Sequence, residues 1–143
     1  MSYIKKTTDQ LKNFIAMLSI RFPENKDISL ALTAVETFCN HNRQKLFEIF
    51  LNHVYFKKSP KGILFKDLIR SRNIDFFLYK EPTHIVTLKD KKTESITSVI
   101  NGIRENWEDL DNSEKDVIWV YFDVFIKLVD KYFIEKTKLK ITN

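Results

Sequence analysis

Glycine and proline are scarce in this sequence, with 2 Gly and 3 Pro among 143 residues. Tight turns between β-strands use these two residues heavily, so their scarcity disfavours an all-β fold and favours long helices. Neither Gly62 nor Gly102 has a second glycine within a few residues. This spacing argues against a glycine-rich loop of the kind that binds phosphate groups.

Cysteine is equally rare, because Cys39 is the only one in the chain. An intrachain disulfide is therefore excluded, and a reducing, intracellular compartment is expected. No apolar run reaches the roughly 20 residues that a membrane-spanning helix needs. The polar start of the chain lacks the apolar region of a signal peptide. We therefore expect a cytoplasmic protein that is neither secreted nor membrane-spanning.

The composition indicates a folded chain with an aromatic core. Hydrophobic residues make up 43% of the chain and charged residues 30%, a balance typical of globular domains rather than disordered segments. The chain contains 12 phenylalanines, which predicts a core rich in aromatic rings. A length of 143 residues predicts one domain that spans 1–143.

Apolar residues recur at helical spacing in five stretches, and each stretch predicts an amphipathic helix. The predicted helices cover 8–22, 27–39, 43–56, 94–107 and 114–136. Residues 137–143 are expected to fray as a tail. Together these elements predict an all-α, single-domain array of about five to seven helices.

Residues that commonly begin or end helices lie near most of these boundaries. Thr7, with Gln10 three residues later, fits a capping box at the start of the first helix. Pro23 predicts the end of that helix, and Asn42 fits a cap for the third. Ser113 fits a cap for the last helix, because acidic residues follow it in the first turn.

Residues 57–92 lack a clear helical period. Ser59-Pro60 predicts the start of a short helix, with proline at its first helical position. The apolar residues within 74–78 predict another short helix packed under the core. Residues 84–88 are β-branched in character but have no partner strand, so we interpret them as a loop. Residues 90–92 are interpreted as a charged turn.

The last predicted helix is apolar on nearly all sides, because 117–122 and 124–126 are uninterrupted apolar runs. One interpretation is that this C-terminal helix lies at the centre of the core. The other is that it reserves one face for dimerisation or for a partner protein. The candidate interface residues are Trp119, Phe122, Phe125 and Ile126.

The sequence contains no pattern that indicates catalysis, a cofactor or a metal. Cys39, His41 and His53 lie in neighbouring segments, but a zinc site also needs established ligand spacing and a fourth ligand. Cys39 falls on the core side of its helix, where a thiol behaves as a small hydrophobic group rather than a nucleophile. The carboxylates of Glu108, Asp109 and Asp111 belong to a polar turn, which suits solvated caps better than acid–base chemistry. We therefore predict no catalytic, cofactor-binding or metal-binding residues.

Positive charge is concentrated in residues 57–92, which hold ten basic and four acidic residues. Clustered cations bind the phosphate backbone of nucleic acids through counterion release. The alternative is a solvated, lysine-rich surface without a ligand. The candidate nucleic-acid-binding residues are Lys57, Lys58, Lys61, Lys66, Arg70 and Arg72.

The second half of the chain resembles a segment of uncharacterised helical proteins of nucleocytoplasmic large DNA viruses. The shared landmarks are Trp107-x-x-Leu110 and Lys115-x-x-Ile118-Trp119-x-Tyr121, together with Phe22-Pro23 and Asp75-Phe76-Phe77-Leu78. The resemblance implies a viral protein of the host cytoplasm or the virion, and it carries no reaction, cofactor or ligand.

These observations predict a non-enzymatic interaction or structural protein that acts through helix-face contacts with a protein partner or with itself. The alternative is a basic nucleic-acid-binding accessory protein that uses the 57–92 region.

Overall fold

A computed structural model describes residues 2–78 and 91–142, and in these ranges the fold is all-α, as predicted. The described residues contain no β-strand, only an isolated bridge between Lys58 and Leu64. The α-helices are α1 (Tyr3–Arg21), α2 (Lys26–His41), α3 (Arg43–Phe50), α4 (Phe65–Arg70), α5 (Asp75–Leu78), α6 (Lys91–Asn106) and α7 (Asn112–Thr142). A π-helical turn (Leu51–Tyr55) extends α3, and a 3₁₀ turn (Trp107–Asp109) follows α6.

Helix α1 begins earlier than predicted, because its cap is Ser2 and not Thr7. The Ser2 side chain accepts a hydrogen bond from the backbone N–H of Lys5 at 3.1 Å. Thr7 and Thr8 lie inside the helix and are fully buried. Their hydroxyls donate to backbone carbonyls one turn back, which satisfies these groups without a cap. The helix ends at Arg21, just before Pro23, as expected.

Of the other two predicted caps, one is confirmed and one is wrong. Asn42 caps α3 as predicted, because its side chain accepts from Lys45 N–H at 3.2 Å. The cap of α7 is Asp111 rather than Ser113. Asp111 Oδ1 accepts from Glu114 N–H at 2.7 Å, and Glu114 Oε1 accepts from Asp111 N–H at 3.1 Å. This reciprocal pair is a capping box that begins two residues before the predicted cap. At its other end α7 continues to Thr142, beyond the predicted end at 136.

The region after α3 differs most from the prediction. Ser59-Pro60 begins no helix but belongs to a turn in which Ser59 N–H donates to the carbonyl of Ile63 at 2.7 Å. The next helix, α4, starts only at Phe65. The short helix α5 forms as predicted and buries Phe76 completely. The predicted charged turn at 90–92 is wrong at Lys91 and Lys92, which are helical. The loop predicted at 84–88 lies outside the described residues.

Helix α7 lies at the centre of the fold, as one of the two interpretations predicted. Its aromatic rings contact five other elements, with ring centroids less than 6 Å apart, and one of these is the π-helical turn, where Tyr55 lies against Phe133. Phe122 contacts Phe14 of α1 and Phe76 of α5, Phe125 contacts Phe50 of α3, and Trp119 contacts Trp107. Helix α1 packs against both α2 and α7, and α6 packs against α2.

Candidate functional site

The four candidate interface residues of α7 lie in the core of the chain. The exposed fractions are 8% for Trp119, 2% for Phe122, 0% for Phe125 and 1% for Ile126. Their proposed availability to a partner is therefore wrong, because α1, α3, α5 and the 3₁₀ turn already cover their rings. The apolar excess of α7 is divided between this core side and a smaller solvent-facing side.

The basic candidates do not form one patch, because α7 neutralises two of them. Arg70 donates to both carboxylate oxygens of Asp130 at 2.7 Å. Arg72 donates to Asp116 at 2.8 Å and to Asp123 at 3.0 Å. The three aspartates are spaced by seven residues, so they form a row along one side of α7. This row fixes the segment after the π-helical turn against α7, and it removes Arg70 and Arg72 from any simple phosphate-binding surface.

Arg72 occupies a backbone position that normally favours glycine, with φ of 50°. Its N–H donates to the carbonyl of Ile69 at 3.0 Å, and Asn73 N–H donates to Leu68 at 2.8 Å. These two bonds are those of a Schellman motif, in which the residue after the cap is left-handed. A non-glycine residue there costs about 1 kcal/mol or more, which the two ion pairs to α7 help to offset.

The other four basic candidates are lysines of the segment 57–66. Lys66 places its Nζ 4.5 Å from the centre of the Tyr55 ring, a cation–π contact. Lys57, Lys58 and Lys61 belong to the turn between the π-helical turn and α4, where Lys58 and Lys61 are exposed. Two large apolar residues, Phe56 and Ile63, flank this basic turn and are about half exposed.

A polar cluster joins the π-helical turn to α7. The buried Tyr55 donates its hydroxyl hydrogen to Asp130 at 2.5 Å, on the same carboxylate that binds Arg70. Burial, and next the hydrogen bond to Asp130, raises the pKa of Tyr55 to about 12. π-helical turns occur often at functional sites, but every polar atom named here is used to hold two elements together.

The thiol and imidazole groups considered for chemistry are separated. Cys39 is buried, with its Sγ 3.7 Å from the carbonyl oxygen of Thr8, and burial raises its pKa. His41 is exposed at the end of α2, whereas His53 lines an apolar cavity of about 50 Å³ among α1, α3, α6 and α7. Within 2–78 and 91–142, no three His, Cys, Asp or Glu residues are grouped in a way that could hold a metal ion.

The sequence reasoning missed an exposed apolar surface where α1 and α7 lie side by side. The two helices run antiparallel, because Arg21 is paired with Glu114 while Phe14 contacts Tyr121. Val117 and Val120 of α7 are 40% and 46% exposed, and Val124 is half-buried beside them. On the neighbouring helix α1, Ile20 is 81% exposed, and the half-buried Met17 lies about one turn before it. We call these five residues the α1/α7 surface.

A shallow groove of about 320 Å³ runs along this surface. It is lined by Gln10, Asp116, Val117, Val120, Tyr121 and Val124. Valines at 117, 120 and 124 have the spacing of one helix face, and Lys127 and Lys131 continue the same face toward the C terminus. The signal was therefore present in the sequence, but it was hidden by the stronger apolar pattern of the core side.

Comparisons with protein-family models, with curated proteins and with solved structures gave no match to this chain. Among the described residues, no helix combines the length and apolar character that spanning a membrane requires. The site is therefore interpreted from its own geometry.

Proposed function

We propose that this protein is a non-enzymatic interaction or structural protein, and that it binds a protein through the α1/α7 surface. The observation that carries the proposal is the row of exposed valines on the solvent side of α7, a helix whose opposite side already fills the core. Large apolar side chains that are grouped and exposed are typical of protein–protein contact sites. The flanking Gln10 and Asp116 provide the polar rim that such interfaces usually have.

The groups most often used in catalysis support the same proposal by their positions. The Cys39 thiol points into the core and lies beside a backbone carbonyl. The carboxylates of Asp116, Asp123 and Asp130 are neutralised by arginines that hold the fold together. A general acid or base instead needs an open site and a proton that it can exchange with a substrate.

A photo-crosslinking amino acid at Val120 tests the proposal in cells that naturally contain the protein. We expect irradiation to give one crosslinked product of discrete mass, because Val120 would be covered by the partner. The same group at Leu30 is the matched control, since Leu30 is also an exposed apolar residue but lies on α2. No product at Val120 beyond that at Leu30 would refute binding through this surface.

A second candidate function, nucleic-acid binding, is favoured by the basic turn of Lys57, Lys58 and Lys61. The turn projects between two half-exposed apolar residues, and no acidic residue occurs between Lys57 and Lys66. Three contacts to the phosphates of a single strand would make the affinity fall about 20-fold between 50 and 200 mM salt. Under this alternative, K57E/K58E/K61E loses binding to a fluorescent single-stranded DNA.

The matched control for this alternative is K26E/K45E/K136E, which changes the net charge equally at three dispersed, exposed positions. Equal loss in both variants would indicate a general charge effect, and the candidate function would be wrong.

We also propose, from the resemblance in the second half of the chain, that the protein acts in the host cytoplasm or the virion during a viral infection.

A further inference from the structure

The two ends of the α1/α7 surface carry opposite charge. Beyond Val117 the chain presents the exposed carboxylates of Glu108 and Asp109. The pKa of Arg21, at the end of α1, is raised chiefly by its hydrogen bond to Glu114, and Asp109 is close enough to raise it further. Beyond Val124 the same face of α7 presents the exposed lysines Lys127 and Lys131. The surface therefore has an apolar centre between an acidic end and a basic end.

The lysine end is strengthened by α1, whose N terminus lies beside the C-terminal half of α7. Tyr3 lines a groove with Lys131, Glu135 and Lys138, and Lys6 holds its Nζ 5.1 Å from the centre of the Tyr3 ring. Glu135 is the single carboxylate in this group. Positive charge therefore exceeds negative charge at this end. In the turn at 108–111 the charged residues are all acidic, so negative charge prevails there.

We infer that the α1/α7 surface binds a second copy of this chain, related by a two-fold axis that passes near Val120. The inference rests on the proposed function, because it names the partner at the same surface. An axis that lies in the interface and is perpendicular to α7 reverses the direction of the surface, so the acidic end of each copy lies on the basic end of the other. With the axis at Val120, Val117 lies near Val124 of the partner, and the acidic turn before α7 lies toward the lysine end of the partner's α7.

The size of the surface is sufficient for a weak dimer. A 19-residue helix is about 28 Å long, and two adjacent helices are about 20 Å wide. Each copy would therefore bury roughly 550 Å², and the pair roughly 1,100 Å², just above the lower limit for a specific interface. We therefore expect a dissociation constant in the micromolar range rather than an obligate dimer.

Sedimentation equilibrium from 1 to 300 μM tests the inference with purified protein. The wild-type mass should rise with concentration from 17.1 kDa toward twice that value. V120D should weaken the dimer by at least tenfold, because each interface would bury two carboxylates beside the axis. L30D places the same charge on exposed α2 and should dimerise like the wild type. Far-UV circular dichroism checks that both variants remain folded.

A charge exchange tests the antiparallel arrangement specifically. The variants K127E/K131E and E108K/D109K should each dimerise more weakly than the wild type, because both ends then carry the same sign. An equimolar mixture of the two should form a heterodimer, since each acidic end again meets a basic end. Asp111 is left unchanged because it caps α7.

Three results would overturn the inference: a wild type that is monomeric at 300 μM, a V120D variant that dimerises normally, or a mixture that stays monomeric. The crosslinking experiment at Val120 tests the proposed function independently of the dimer. A monomeric wild type whose Val120 crosslinks to a protein of another mass would refute the second copy and support the broader proposal. A monomeric wild type with no Val120 crosslink would refute both.

Discussion

Replacing Phe125 with alanine is expected to lower the free energy of unfolding by about 3–5 kcal/mol. Phe125 is fully buried, and its ring packs on Phe14, Phe50 and Phe122 from three helices. Removing the ring leaves a cavity that these neighbours cannot fill without moving helices. The free energy of unfolding therefore falls both by the transfer free energy of the ring and by the cost of the cavity. Urea unfolding followed by circular dichroism measures the effect.

The control is Val120→Ala, which shortens an exposed side chain on the same helix and should change the free energy by no more than about 0.5 kcal/mol. The pair separates the two sides of α7. If F125A were as stable as the wild type but impaired in association, the assignment of Phe125 to the core would be wrong. The expected result is the reverse, with stability lost at Phe125 and association lost at Val120.

Stability at alkaline pH is expected to depend on Tyr55. Its pKa is about 12 in the folded protein, whereas an unfolded tyrosine titrates near 10. The folded state therefore holds the phenolic proton more tightly. The stabilisation of the folded state by Tyr55 is fully present below pH 10 and is lost as the pH rises from 10 to 12. The loss should amount to about 2–3 kcal/mol, because each pKa unit corresponds to about 1.4 kcal/mol.

Tyr55→Phe removes both the titrating group and the hydrogen bond to Asp130. We expect the variant to be less stable than the wild type at pH 8 by about 1.5–3 kcal/mol, since hydrogen bonds to charged groups are stronger than average. Between pH 10 and 12 the difference between the two proteins should shrink. Subtracting the stability–pH curve of the variant from that of the wild type cancels the titration of the other tyrosines and the lysines. Parallel curves would show that the pKa of Tyr55 is not raised in the folded protein.

Much of the helical framework could be predicted because its causes are local. The apolar stripes of α2, α3 and α6 follow a 3.6-residue period, and this period identifies the side of a helix that is buried. Asn42 was also predictable, since the polar residues 40–42 separate two apolar stripes and Asn42 directly precedes the second of them. Thr7 and Ser113 misled because each has a second competent cap nearby, Ser2 and Asp111, and sequence alone does not rank them.

The candidate site was less predictable, because it depends on contacts between distant residues. Arg70 and Arg72 are neutralised by aspartates of α7 that lie more than 40 residues away in the sequence. Counting charge along the chain therefore produced a basic patch that tertiary ion pairs partly remove. The apolar surplus of α7 was noticed, but dividing it between core and surface requires the positions of α1 and α5.

The end of α4 shows a conflict between local preference and tertiary contact. The backbone at Arg72 has a left-handed conformation that its own side chain disfavours, yet the guanidinium bridges two aspartates of α7. In landscape terms the turn is locally frustrated, and the frustration is relieved by a helix that follows 40 residues later. The turn at 71–73 therefore depends on α7 as well as on its own sequence, and its two ion pairs form only when the C-terminal helix lies beside it.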